Sequence, residues 1–414
     1  MRKKLAGLFV FSGIHLLLAQ PKTDMWLDQL LKEKAPPLLQ HVLNNPDSFR
    51  YQLIYTKIDR DKKNEPHCTN YYIHANAAEY FNPASTVKMP LAFLSLEKIN
   101  RLKEKGINKE TVMLTDSSFA AQTTVFSDTS AANGLPSVAQ YIRKIFLVSD
   151  NDAYNRLYEF LGQQTINEQL HKKGYADIRI TRRFVTMDEE QNRHTNQVRF
   201  VQNEKKIYTQ PPAYSNFKFN FPQPILIGKA YYNRNDSLID APMDFTKHNN
   251  ISLEDLQQIL QSVMLPSSVK PEQRFDLGPE DYRFLYQYMS ELPYESSHPK
   301  YDTTEFFDSY CKFFWFKAGK GKLPEYIRSY NKPGWSYGFL TDVAYIVDFK
   351  NNVEFMLSGV IYVNRDQVLN DNKYEYEEIG YPFFQQAGKI IYEYELGRKR
   401  KVKPNLSIYK CQYN

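Results

Sequence analysis

Beyond residue 20 the apolar positions first recur at helical spacing. Trp26, Leu27, Leu30 and Leu31 share one face, and the pattern stops at Pro36-Pro37. Tyr51, Leu53 and Tyr55 then alternate with Gln52, Ile54 and Thr56. After a polar turn over 59–66 an extended pattern resumes at 71–74, which predicts two antiparallel strands. Helical periodicity returns over 84–102, 136–147 and 151–161, where Ala153, Leu157 and Phe160 form one face, and again over 252–264 and 279–292. Between 197 and 240 the chain is rich in Asn, Gln, Pro and Tyr without a clear period, the mark of a long loop or insertion. Two β-rich runs, 341–349 and 353–363, flank Lys350-Asn351-Asn352 as a hairpin, and a last helix is predicted over 382–396. Strands at both ends with helices between them predict one sheet interrupted by a helical insertion.

The first residues change this picture at one end. Met1-Arg2-Lys3-Lys4 precedes an apolar run ending at Ala19-Gln20, the form of a secretory signal over 1–19, with cleavage expected after Ala19. Export to the periplasm is therefore the expected location, and no later segment approaches the ~20 apolar residues of a membrane span. The 414 residues carry a formal charge of +6, part of it in a basic stretch at 398–414 that reads as a solvated tail. Export argues against nucleic acid as partner and leaves an anionic envelope polymer open. Three cysteines, Cys68, Cys311 and Cys411, allow at most one bridge and require none. No cluster has metal-ligand spacing and no glycine-rich phosphate loop occurs, so neither a metal nor a cofactor is expected. A monomer is expected.

Three short segments carry candidate chemistry. Ser-x-x-Lys occurs at Ser85 and also at Ser95, Ser215, Ser267, Ser297, Ser309, Ser329 and Ser407, so the tetrapeptide alone selects nothing. Only Ser85 stands at a helix start, behind Asn82 as a cap and Pro83 at the first position. There the helix dipole and free backbone N–H groups favour developing negative charge, and the i, i+3 spacing puts Ser85 and Lys88 on one face. For Lys88 to act as a base near pH 7 it must be neutral, which costs a lysine of ordinary pKa ~10.4 about 4–5 kcal/mol. Burial and a second cation would supply that. Pro90 would withdraw a helical hydrogen bond from the Thr86 carbonyl. Ser149-Asp150-Asn151 lies between two helices, where capping alone would explain it. Lys332-Pro333-Gly334 precedes the 341–349 strand; it suits a plain turn, or a lysine and a glycine on a strand beside a cleft, placed to bind a carboxylate with a close backbone approach.

Taken in order, Ser-x-x-Lys, Ser-Asp-Asn and Lys-x-Gly resemble the motifs of class A β-lactamases and penicillin-binding proteins, and the resemblance runs over most of the chain beyond the signal. It implies an α+β fold, an antiparallel sheet of about five strands flanked by helices with an all-helical subdomain inserted. In this division the sheet part is 20–80 and 310–397, and the helical part is 84–309. It implies acyl-enzyme formation at Ser85 on β-lactams or D-alanyl peptides of the cell wall. Lys88 would be the base and Ser149 a proton relay. Asn151 would hold a substrate amide, Lys332 and Gly334 would bind near the substrate carboxylate, and the N–H groups of Ser85 and Trp335 would form the oxyanion hole.

Two departures matter. Class A β-lactamases carry a loop glutamate that activates water against the acyl-enzyme. Here Arg183-Phe184 matches its lead-in and Val185 stands in its place, leaving Glu189 or Glu190 as substitutes. Pro333 replaces the usual hydroxyl residue of Lys-x-Gly, and Lys317-Ala318-Gly319 is a competing match. A slow peptidase-like enzyme, a non-catalytic penicillin-binding sensor and a related amidase or esterase are the alternatives these departures leave.

Overall fold

The computed structural model describes residues 21–315 and 320–413. The predicted signal over 1–19 and the competing Lys317-Ala318-Gly319 lie outside them. Both ends of the chain build one sheet from β1 (Gln52–Arg60), β2 (Pro66–Ile73), β3 (Ile327–Ser336), β4 (Phe339–Asp348) and β5 (Val353–Tyr362). The strand order is β3-β4-β5-β1-β2 and every neighbouring pair is antiparallel. The helices that frame it are α1 (Met25–Lys34), α2 (Lys88–Arg101), α3 (Val138–Val148), α4 (Asn151–Leu161), α5 (Leu253–Met264) and α6 (Tyr381–Gly397). The fold is α+β.

Strand alternation divides the core in two. Along β4, Phe339, Val343, Tyr345 and Val347 enter the core shared with the helical part, whereas Leu340, Ala344 and Ile346 enter the core under α1 and α6. Both faces of β4 and β5 are thus covered, which is why these strands read as nearly continuous apolar runs. Asp348 holds the turn between them, its Oδ1 accepting from the Lys350 and Asn351 N–H groups.

Three features differ from the sequence expectations. Of the two readings of Lys332-Pro333-Gly334, the strand beside a cleft holds and the plain turn does not: the segment lies within β3, a strand that the periodicity itself left out. β3 is an edge strand, where a proline without an N–H is tolerated. The 197–240 segment is not an irregular loop: Val198–Gln202 and Lys205–Gln210 pair with each other, and the first also pairs with Val112–Thr115. Val198 and Phe200 do alternate inward there. Their turn is Asn203-Glu204, both at positive φ, without the glycine that would have advertised it. The inserted part, helical at its centre, therefore also carries small sheets.

The basic C-terminal stretch, finally, is only partly solvated: Lys399, Lys401, Lys403 and Lys410 are exposed, but other residues pack onto the fold. Arg398 and Arg400 pair with the buried Glu395, and Leu406 and Tyr409 are buried, with Tyr409 donating to the Met264 carbonyl at 2.6 Å. These arginines compensate a carboxylate that would be costly to bury alone. All three cysteines are free thiols. Among the described residues no helix is long and apolar enough to cross a membrane, and no group of three or more His, Cys, Asp or Glu could hold a metal ion.

Candidate active site

Ser85 sits in a single 3₁₀ turn, Ala84–Val87, that runs directly into α2. Asn82 Oδ1 accepts from the Ala84 N–H at 2.9 Å, and the Thr86 hydroxyl donates to the Pro83 carbonyl at 2.6 Å. Between these fixed points Ala84 has a φ of 43°, a left-handed conformation that costs a non-glycine residue about 1–3 kcal/mol. The strained bend presents Ser85, half-buried, to a cleft of about 460 Å³. Pro90 withdraws nothing, contrary to the sequence expectation. It lies in the first turn of α2, where N–H groups have no helical partner, and the Thr86 carbonyl is already taken by the Lys88 N–H.

The three motifs meet behind Ser85. Lys88 is fully buried, and its Nζ donates to the Ser149 carbonyl and to Asn151 Oδ1 at 2.7 Å, with Ser149 Oγ at 3.4 Å. Lys332, also fully buried, donates to Ser149 Oγ and to the Pro333 carbonyl, both at 2.8 Å. One serine hydroxyl therefore stands between two lysine nitrogens. Ser149 ends α3 in the left-handed conformation, φ 64°, and Asp150 caps α4 by accepting from the Ala153 N–H at 2.7 Å. Capping and chemistry use the same three residues. Burial first, and then the neighbouring Lys332 charge, hold the Lys88 pKa well below its ordinary value. Burial alone brings Lys332 down to about 8, against the opposing influence of Cys311 and Asp342.

Gly334 explains how β3 reaches this cluster. A Cβ there would lie 2.7 Å from the Pro83 carbonyl oxygen, 2.8 Å from the Ser85 nitrogen and 2.9 Å from the Thr86 nitrogen. Only glycine lets the strand backbone touch the Ser85 turn. Of the residues predicted from sequence, Ser85, Ser149, Asn151 and Trp335 line the cleft, while Lys88, Lys332 and Gly334 stand behind its wall. The Lys332 ammonium, expected from sequence to attract a substrate carboxylate, is enclosed here by Ser149 and the Pro333 carbonyl and does not itself line the cleft.

The loop after residue 180 is pinned by three asparagines. Asn249 Oδ1 accepts from the Arg182 N–H at 3.1 Å, Asn192 Oδ1 from the Arg183 N–H at 2.8 Å and Asn155 Oδ1 from the Phe184 N–H at 2.8 Å. Arg183 is turned inward, fully buried against Glu159 and Tyr158. Its neighbours Arg182 and Phe184 face the cleft, and the Phe184 ring centroid lies 5.1 Å from Lys88 Nζ. Val185 is 44% exposed. Position 184, not 185, thus faces the lysine. Glu189 pairs with Lys247 at 2.6 Å and Glu190 with His194 at 3.2 Å, both on the exposed helix Glu189–Arg193 and absent from the cleft lining. Asp150 is the carboxylate that does line it, committed to its cap.

Sequence reasoning missed the far wall of the cleft. Arg182 and Phe184 were in view without an orientation, while His248, Tyr310 and Tyr337 carried no periodic or motif signal. A larger cavity of about 540 Å³, lined by Arg50, Leu226, Tyr362 and Glu375 among others, holds none of the motif residues.

Residues 50–217 match the model of a β-lactamase enzyme family. No curated protein matches. Among solved structures, the β-lactamase from Sphaerobacter thermophilus DSM 20745 has 12% identity and a TM-score of 0.43, covering 87% of this chain and 97% of that one. PBP-A has 13% identity and a TM-score of 0.45, covering 91% and 98%. A β-lactamase from Burkholderia ambifaria has 13% identity and a TM-score of 0.45, covering 87% and 99%.

Proposed function

We propose, for a chain whose residues 50–217 match a β-lactamase enzyme family, that Ser85 is acylated by β-lactams or D-alanyl amides and that the acyl-enzyme then persists. One observation carries the first half: Lys88 and Lys332 converge on Ser149 behind a serine held in a strained turn. Neutral Lys88 takes the proton as Ser85 Oγ attacks the amide carbonyl. The backbone N–H groups of Ser85 and Trp335 receive the oxyanion, a role in which each donor contributes about 3–4 kcal/mol. Ser149 delivers a proton to the leaving nitrogen as the C–N bond breaks, and Lys88 replaces that proton. The product is an ester on Ser85.

The second half rests on what faces the ester. Deacylation needs a base for water, and general-base assistance supplies about 10²–10⁴-fold. The inward position on the loop is a phenylalanine, and the two nearby glutamates are engaged at the surface. A slow-turnover, penicillin-binding role is favoured over efficient β-lactam hydrolysis. Export to the periplasm is proposed from the basic-apolar start of the chain.

Labelling with a fluorescent penicillin tests both halves. Wild-type protein is expected to retain the label for many minutes after a chase, and Ser85→Ala to take none. Absence of label on the wild type would sink the acylation reading, and loss within seconds would sink the persistence.

A companion prediction concerns Phe184. Phe184→Glu sets a carboxylate beside Lys88 and is expected to shorten the acyl-enzyme lifetime by about tenfold or more. It also slows acylation, since the new charge favours protonated Lys88. Val185→Glu, pointing outward, is expected to leave the lifetime within about twofold. Chase kinetics on the two variants check this.

A further inference from the structure

Resting on the acylation reading above, we propose that Arg182 forms an anion-binding subsite that selects substrates bearing a carboxylate on the acyl portion. The cleft has two differently built ends. At one end Lys332 of β3 donates to Ser149 Oγ at 2.8 Å, and three residues along the strand Trp335 packs on the Tyr310 ring at 5.7 Å. Two residues further along, Tyr337 meets Phe245 at 5.1 Å and His248 at 6.2 Å, and there Arg182 joins the lining. Ser149 protonates the leaving nitrogen, so the leaving group lies at its end. The Arg182 end is left for the acyl chain.

Arg182 suits an anion there. Its Nη1 donates to His248 Nε2 at 3.0 Å, and a guanidinium can only donate, so His248 accepts as the neutral ring. Burial, with Arg182 beside it, holds the His248 pKa down to about 3, which keeps the ring neutral throughout the physiological range. The imidazole orients the guanidinium without cancelling its charge. Among the described residues no carboxylate lies within ion-pairing distance of Arg182, whereas the adjacent Arg183 has Glu159 at 3.2 Å. The loop backbone is fixed by Asn249 and Asn192, so the remaining donors are held in place before any ligand arrives. With Lys332 enclosed, Arg182 is the cation that the cleft itself presents.

Benzylpenicillin and α-carboxybenzylpenicillin differ by one carboxylate on the acyl side chain and provide the test. The second-order rate of Ser85 acylation is read by intact mass for each, and their ratio is the observable. Arg182→Gln is expected to lower the charged-to-neutral ratio by about tenfold, the weight of one charge-assisted hydrogen bond, and Arg182→Lys to lower it by less. Addition of salt should narrow the wild-type ratio and leave that of Arg182→Gln unmoved. A ratio identical in wild type and Arg182→Gln, with both probes acylating, overturns the subsite alone. If neither probe acylates the wild type, the acylation reading fails and the subsite with it.

Discussion

Lys88→Ala is expected to slow acylation of Ser85 by about 10²–10⁴-fold, the usual contribution of a positioned general base. Lys88→Arg should do no better, because a guanidinium is never neutral in this pH range. The warrant is the burial of Lys88 beside a second ammonium, two effects that both disfavour its charged form. The pH dependence follows from the same facts. Acylation rises with pH as Lys88 sheds its proton, at a pH well below that of an ordinary lysine. Lys332 loses its own proton near pH 8. Above that point its charge no longer depresses Lys88 or holds Ser149 Oγ, so the rate falls. A bell with its alkaline limb near pH 8 is expected, and Lys332→Met should abolish that limb while lowering the maximum. Acylation rates followed by mass spectrometry across pH 5–10 measure both. A Lys88→Ala rate within tenfold of wild type would show that another group takes the proton.

The parts legible in the sequence were those written in local pattern. Asn82-Pro83 marks the helix start to within one residue: the 3₁₀ turn ahead of α2 begins at Ala84 with Pro83 at its cap position, and Asn82 Oδ1 accepts from the Ala84 N–H instead of capping the turn. The 353–363 run gave a strand within one residue because both of its faces are buried. What could not be read depends on orientation and on distant partners. Ala84 and Ser149 adopt positive φ under tertiary constraint, and neither residue type announces it. The alignment of Arg183-Phe184 with the family's lead-in left the direction of each side chain open. It took asparagines at 155, 192 and 249, remote in sequence, to fix which one faces Lys88. Lys332 was expected beside the cleft without a depth; its enclosure follows from β3 being packed edge-on against the Ser85 turn.

That edge-on packing makes Gly334 the most sensitive backbone position in the cleft. Its φ is not left-handed, so alanine meets no conformational penalty of its own; the obstacle is space. The three atoms a Cβ would approach, at 2.7–2.9 Å, are all backbone atoms of residues 83–86, which cannot rotate away as a side-chain end could. Either β3 retreats or the turn carrying Ser85 moves, and the Ser85 N–H is itself a proposed oxyanion donor. Misplacement by about 1 Å costs on the order of 10²-fold in rate, and loss of one such donor about 10²–10³-fold. Gly334→Ala is therefore expected to lower acylation by at least about 10²-fold while the protein stays folded. Gly397→Ala, where a Cβ meets no atom within 4 Å, serves as the control and should match wild type. Acylation rate alongside circular dichroism separates a displaced nucleophile from an unfolded protein. A folded Gly334→Ala protein that acylates within threefold of wild type would mean that the turn yields without disturbing Ser85, and that the strain at Ala84 is not what aims the nucleophile.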